Sequence, residues 1–287
     1  MVKRSEIIQI SKTLNVPSAT IDKDWALGHL LNALYSFDDF SNNFIFKGGT
    51  CLRKCYYENY RFSEDLDFTL LDESLVVDKS LISRYLFIAE KNSGIKFGKN
   101  IVINRQSHND QPQGYEIIIP FWGIDHKPNQ RPLPEIRWQS KIKIDISFSE
   151  KLILRPVVKP IFHPYSDSSF INSHVNTYHI TEIISEKLRS LMQRNRPRDI
   201  YDLHFLSQNT NKSQYKSIYR LLAVKSKAKG ISSYSFENFI NSSKELKNRR
   251  AWENSLSHHL AVNKLISFDV AYHKVSIFVK TILNFKE

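Results

Sequence analysis

The chain has 287 residues, long enough for one large domain or two small ones with a sizeable core. Hydrophobic residues make up 41% of it, which excludes a disordered chain, and no apolar run approaches the roughly 20 residues of a membrane span. Lys and Arg outnumber Asp and Glu by 41 to 29, a net charge of +12 that nominates a polyanion, either nucleic acid or a nucleotide, as partner class.

The N-terminal MVKRSEIIQISKTLNV reads as an amphipathic helix broken by charge and not as a signal peptide, the first of two helices expected before residue 36 or so. In the second, Trp25, Leu27, Leu30, Leu31 and Leu34 make the apolar stripe, and Asp22 and Asp24 are placed near its positive end. Phe44-Ile45-Phe46 is a short apolar strand that runs into Lys47-Gly48-Gly49-Thr50, and residues 51–57 read as a helix. Cys51 and Cys55, the only cysteines, build no disulfide framework and complete no zinc ligand set, so a reducing, cytoplasmic setting is expected.

Residues 65–70 alternate with strand period, a helix is expected over 79–91, and further strands over 100–104, 115–121 and 141–148. The proline-rich run 126–134 reads as a loop. Beyond Val175 the pattern is helical, with helices expected over 181–194, 198–208, 214–224, 236–246, 251–260 and 268–284. The layout is a mixed α/β half, 1–170, followed by a helical half, 171–287, with the boundary between 160 and 175.

Strand alternation places Asp65 and Asp67 on one face, with Leu66 and Phe68 turned to the core. Two adjacent carboxylates repel and call for a cation, and hard oxygen ligands suit Mg²⁺ or Mn²⁺ bridged to substrate phosphates. The paired Gly48 and Gly49 let the backbone approach a phosphate, and Thr50 offers a hydroxyl donor there. Asp145 lies mid-strand between apolar neighbours, where an ionised carboxylate is costly unless paired or metal-bound; a strand beside that of Asp65 and Asp67 makes a third metal ligand of it. Each piece alone is weak, since a Gly-Gly-Thr is usually a turn and an Asp-x-Asp usually a solvated face; their order is specific.

The stretch FKGGT…RFSEDLDF resembles the signature of the AbiEii/AbiGii toxin family, a branch of the polymerase-beta-like nucleotidyltransferases. Residues 180–203, with a helical lysine and an Arg-Asp-x-x-Asp-Leu element, resemble its downstream motifs; their bland reading is a solvated helix with Arg198 and Asp202 paired. The resemblance implies an α+β protein, a polymerase-beta-like mixed sheet with helices followed by a C-terminal helical bundle. It implies an active site of Gly48, Gly49, Thr50, Asp65, Asp67, Lys187 and either Asp199 or Asp202, with Lys47 and Ser63 flanking the phosphates. It further implies a toxin of a bacterial toxin–antitoxin or phage-abortive-infection pair, encoded beside a winged-helix antitoxin. Such a toxin transfers a nucleoside monophosphate from NTP to an RNA acceptor, tRNA first among them, and releases pyrophosphate. Tyr56, Tyr57, Tyr60 and Trp138 are offered as stacking partners for unpaired bases. Two alternatives stay open on the residues alone: the same chemistry on a protein or small molecule, and a non-catalytic nucleic-acid-binding protein.

Overall fold

Two helices open the chain, α1 (Arg4–Leu14) and α2 (Ser18–Leu34), in the computed structural model, which describes residues 2–108, 111–123, 132–231, 235–240 and 242–285. A short α3 (Asp38–Asn43), unforeseen in the sequence, leads into β1 (Phe44–Lys47). The expected helix after the glycines begins earlier, as α4 (Gly48–Cys51), and continues as a π-helical turn over Leu52–Tyr56. Then come β2 (Asp65–Leu70), α5 (Lys79–Ser93), β3 (Lys96–Phe97), β4 (Val102–His108), β5 (Gln111–Trp122), β6 (Lys141–Ser147), β7 (Val157–Pro160) and β8 (His174–Thr177). Of the expected loop 126–134, residues 126–131 lie outside the described residues.

Among the described residues these strands form one mixed sheet in the order β3-β5-β6-β2-β1-β8-β7, with β4 also on β5. β1 runs antiparallel to β2, while β2 and β6 are parallel and in register from Asp65↔Lys143 to Thr69↔Ser147. β1, β2 and β6 are the central strands, and their apolar positions are fully buried: Phe46, Leu66 and Phe68 are each 0% exposed. Phe40 stacks on Phe44 and meets Phe68 and Tyr85 edge-on, so α3 and α5 close the core over this part of the sheet.

α2 is no half-exposed amphipathic helix, for 14 of its 17 residues are buried. Thr20, Asp22, Asp24, His29 and Asn32 are therefore inside, and the helix-start role expected of Asp24 is corrected. The helix begins at Ser18, beyond reach of its dipole, and Asp24 instead takes Arg53 Nε at 2.6 Å, Lys54 Nζ at 2.9 Å and Tyr165 Oη at 2.8 Å. Burial alone pushes this carboxyl up, but Arg53 and Lys54 outweigh it and hold it well below the usual range.

Residues 150–155 and 179–287 form a second compact unit, the first being 1–149 with 156–178. It comprises α6 (Ile180–Gln193), α7 (Pro197–Gln208), α8 (Tyr215–Ala228), α9 (Phe236–Phe239), α10 (Ser242–Leu256) and α11 (Phe268–Leu283). The segment 150–155 joins it because Ile153 and Leu154 donate their N–H groups to Glu182 on α6, and Arg189 grips Glu150 at 2.7 Å. The helices expected over 236–246 and 251–260 are divided differently. The buried Asn248, Trp252 and Leu256 make one continuous stripe through the charged run Lys247–Arg250, where the sequence suggested a break.

Candidate active site

Cross-strand pairing puts Lys47, Asp67, Asp145 and Glu116 in one row over four adjacent strands, β1, β2, β6 and β5. Paired residues share a face of the sheet, so Asp65, Asp67 and Asp145 all project from the same side. Asp145 gives one oxygen to Lys143 Nζ at 3.0 Å, while its Oδ1 is buried and has no hydrogen-bond partner. Lys143 also meets Glu116 at 3.0 Å. Burial lowers the Lys143 ammonium, but Asp145 and Glu116 outweigh it and raise it. Burial raises the Asp65 carboxyl, Lys143 and Lys23 pull it down, and Asp145 and Glu64 push it up again. Three carboxylates on one face, one titrating high and one with an orphaned oxygen, are a donor set that fits a divalent metal.

The glycine turn is fitted to this row. Gly48 has φ +80°, which L side chains rarely adopt, and a Cβ there would overlap the Asp67 carboxylate. A Cβ on Gly49 would stand 2.9 Å from Ser63 Oγ and 3.2 Å from the Arg61 guanidinium. Arg61, 5% exposed, thus adds a buried cation at the turn. Thr50 is fully buried and its hydroxyl donates to the Asp65 carbonyl at 2.5 Å, so its one hydrogen fastens the turn to β2 and not to a phosphate. Lys47 reaches over the Tyr178 ring, 5.4 Å from its centre.

In the helical unit, Lys187 of α6 binds Asp202 of α7 at 2.8 Å, the carboxylate being fully buried. Asp199 does other work: it accepts from Arg194 at 2.7 and 2.9 Å and from the Arg196 N–H, closing the first turn of α7. Arg198 donates to the Ser255 carbonyl and meets His259 Nε2.

Sequence reading gave no role to Arg61, Lys143 or Glu116. Lys143 and Asp145 two apart on one strand signal a shared face, but Glu116 reaches the row only through strand pairing. Of the aromatic residues offered for base stacking, Tyr60 is buried at 3% exposure and Trp138 packs against Trp122, its indole N–H held by the Leu133 carbonyl. Tyr56 is tied by its hydroxyl to the Tyr178 carbonyl.

A second polar cluster lies apart from the row. Among the described residues, His29, His163 and Asp167 are the one group of three whose ligand atoms all lie within 4.8 Å of one another. Asp167 accepts from Trp25 Nε1, His29 Nε2 and His163 Nε2 at 2.9–3.0 Å, which satisfies it by hydrogen bonding alone. A metal on both Nε2 atoms would leave two buried Nδ1–H donors without acceptors, because neither Nδ1 has a partner. The cluster therefore clamps α2 to the segment that follows β7. A cavity of about 240 Å³ beside it is lined by Arg53, Lys54, Glu58, Phe162, His163 and Pro164, and the three carboxylates of β2 and β6 are not in its wall.

The family model of the nucleotidyl transferase AbiEii toxin, type IV toxin–antitoxin system, matches residues 29–274. The chain belongs to the AbiEii nucleotidyltransferase toxin family. This AbiEii protein is accordingly a nucleotidyltransferase, the toxin of a type IV toxin–antitoxin pair, with a cognate antitoxin and an NTP substrate. Its fold is similar to that of MenT4, a nucleotidyltransferase toxin from Mycobacterium tuberculosis H37Rv, at a TM-score of 0.62 and 16% identity over 99% of this chain and 90% of that one. No curated protein sequence matches it. Among the described residues no helix is long and apolar enough to cross a membrane.

Proposed function

We propose that this toxin transfers a nucleoside monophosphate from NTP to a hydroxyl of an RNA acceptor, tRNA, with pyrophosphate leaving. The acceptor O–H breaks, its oxygen bonds to the α-phosphorus, and the bond from that phosphorus to the bridging oxygen breaks. The observation that carries the reading is the Asp67↔Asp145 pairing on the face of Asp65, with the Gly48 turn closed against Asp67. Asp65, Asp67 and Asp145 would hold the divalent cation, Mg²⁺ or Mn²⁺. Bound there, it would supply Lewis-acid neutralisation of the triphosphate charge. Asp145, with its unpartnered Oδ1, accepts the proton from the attacking hydroxyl. Gly48, Gly49, Ser63, Lys47 and Arg61 shape and charge the phosphate side of the turn, and Thr50 and Lys143 hold Asp65 and Asp145 in place. Lys187, oriented by the buried Asp202, serves as a phosphate-binding point charge, and Asp199 as the helix cap beneath it in sequence.

The cognate antitoxin is taken to be a winged-helix protein encoded alongside. The enzyme is tested with each α-labelled NTP, Mg²⁺ and total tRNA, followed by nuclease or protease digestion of the product. Label that nuclease removes and protease leaves supports the reading. Label that only protease removes, or that migrates as a small molecule, overturns the RNA acceptor while keeping nucleotidyl transfer.

A further inference from the structure

The charge of this chain is segregated. The helical unit carries 21 Lys and Arg against 10 Asp and Glu, a net of +11, whereas the sheet unit carries 20 against 19. Nearly all of the +12 therefore belongs to the unit without the carboxylate row. Within it, residues 203–236 contain six Lys and Arg and not one Asp or Glu. Of these six, Lys225 is buried against Glu182 and Glu186, and Lys229 is half-buried and reaches Glu150. The other four, Lys212, Lys216, Arg220 and Lys227, are exposed.

Their placement is ordered. Lys216, Arg220 and Lys227 stand at i, i+4 and i+11 on α8, which confines them to about 40° of the helix circumference along about 16 Å of its length. Lys212 precedes them in the 3₁₀ turn at the start of the helix. The opposite face, with Ile218, Leu221 and Leu222, is buried in the unit. A stripe of lysines is a poor protein interface, since such interfaces are depleted of Lys, but it is the usual counterpart of a phosphate backbone.

We propose that the outward face of α8, through Lys212, Lys216, Arg220 and Lys227, is the docking surface for the phosphate backbone of the RNA acceptor. The inference rests on the RNA-acceptor reading above and assigns affinity for the acceptor to the helical unit. The test is direct binding of labelled tRNA to the full chain, measured by fluorescence anisotropy over a range of salt concentrations without NTP. One variant replaces the four α8 residues by Gln. A control variant replaces Lys79, Lys91, Lys99 and Lys141, four exposed lysines of the sheet unit, by Gln.

The α8 variant is expected to bind at least tenfold more weakly. Its plot of log K against log salt should be flatter by about 3, since each phosphate contact contributes roughly 0.7–0.9 to that slope. The control should bind as wild type does. Lysine acetylation footprinting of the unmodified chain gives a second readout independent of folding in the variants: tRNA should protect Lys212, Lys216 and Lys227 above the four control lysines. Equal losses in the two variants, or protection of the control lysines instead, overturn the docking surface and leave the RNA acceptor standing. Failure of wild type to bind tRNA overturns both. Protection of the α8 lysines by an acidic protein and not by tRNA overturns it in favour of a protein partner.

Discussion

Asp65 shows how a site can be read from one side chain. Its carboxyl is raised above 3.8 by burial, against the pull of Lys143 and Lys23. In the absence of metal the folded chain holds this proton more tightly than the unfolded chain does. Its contribution to stability therefore declines as pH rises through the raised value. A divalent cation reverses this, because it binds the ionised form and must release the proton. Manganese affinity measured by calorimetry should fall as pH drops through the Asp65 titration, with proton release growing as it falls, and Asp65→Asn should abolish both trends. Affinity that is flat with pH and unchanged by Asp65→Asn would remove the carboxylate row from metal binding. Arg61 and Lys143 belong to the same scale and escaped the sequence, because a buried arginine beside Gly49 and a lysine bridging Asp145 to Glu116 are visible only after the strands have paired.

The element that organises the site is the turn from β1 into α4. Gly48→Ala would combine a left-handed backbone, costing about 1–2 kcal/mol for a residue with a Cβ, with direct overlap of the Asp67 carboxylate. The variant should stay folded, with a melting temperature lowered by a few degrees, yet lose nucleotidyl transfer by at least tenfold. Transfer at the wild-type rate would show that the turn does not position Asp67. This element was legible in the sequence because its signals are local: an apolar run, two glycines and a polar–apolar alternation within 27 residues, 44–70. β7 and β8 were not, since each is four residues long and takes its identity from pairing, β8 with β1 across more than 120 residues of chain. α2 read as a helix correctly, but the burial of Asp24 and His29 depends on Arg53, Lys54 and Asp167, far away in sequence. α8 and α10 were found as helical, while the division at Lys247–Arg250 failed because charge on the outer face hid the inner stripe.

At the scale of the whole molecule, acidic chemistry and basic affinity are allotted to different parts of the chain. A nearly neutral sheet unit carries Asp65, Asp67 and Asp145, and the helical unit carries the positive excess. Net charge alone suggested a polyanionic partner, but only the division into units shows which part supplies it. Nucleotidyl transfer by the carboxylate row is tested by following α-labelled and γ-labelled NTP in parallel with wild type, Asp67→Asn and Asp145→Asn. The α label should enter the acceptor with one pyrophosphate released per transfer, and the γ label should not. Each variant should be slower by at least about a hundredfold, since loss of even an outer partner of a metal ligand costs about 10–100-fold. Entry of the γ label, or transfer by Asp67→Asn at the wild-type rate, would show that the carboxylate row does not perform this transfer.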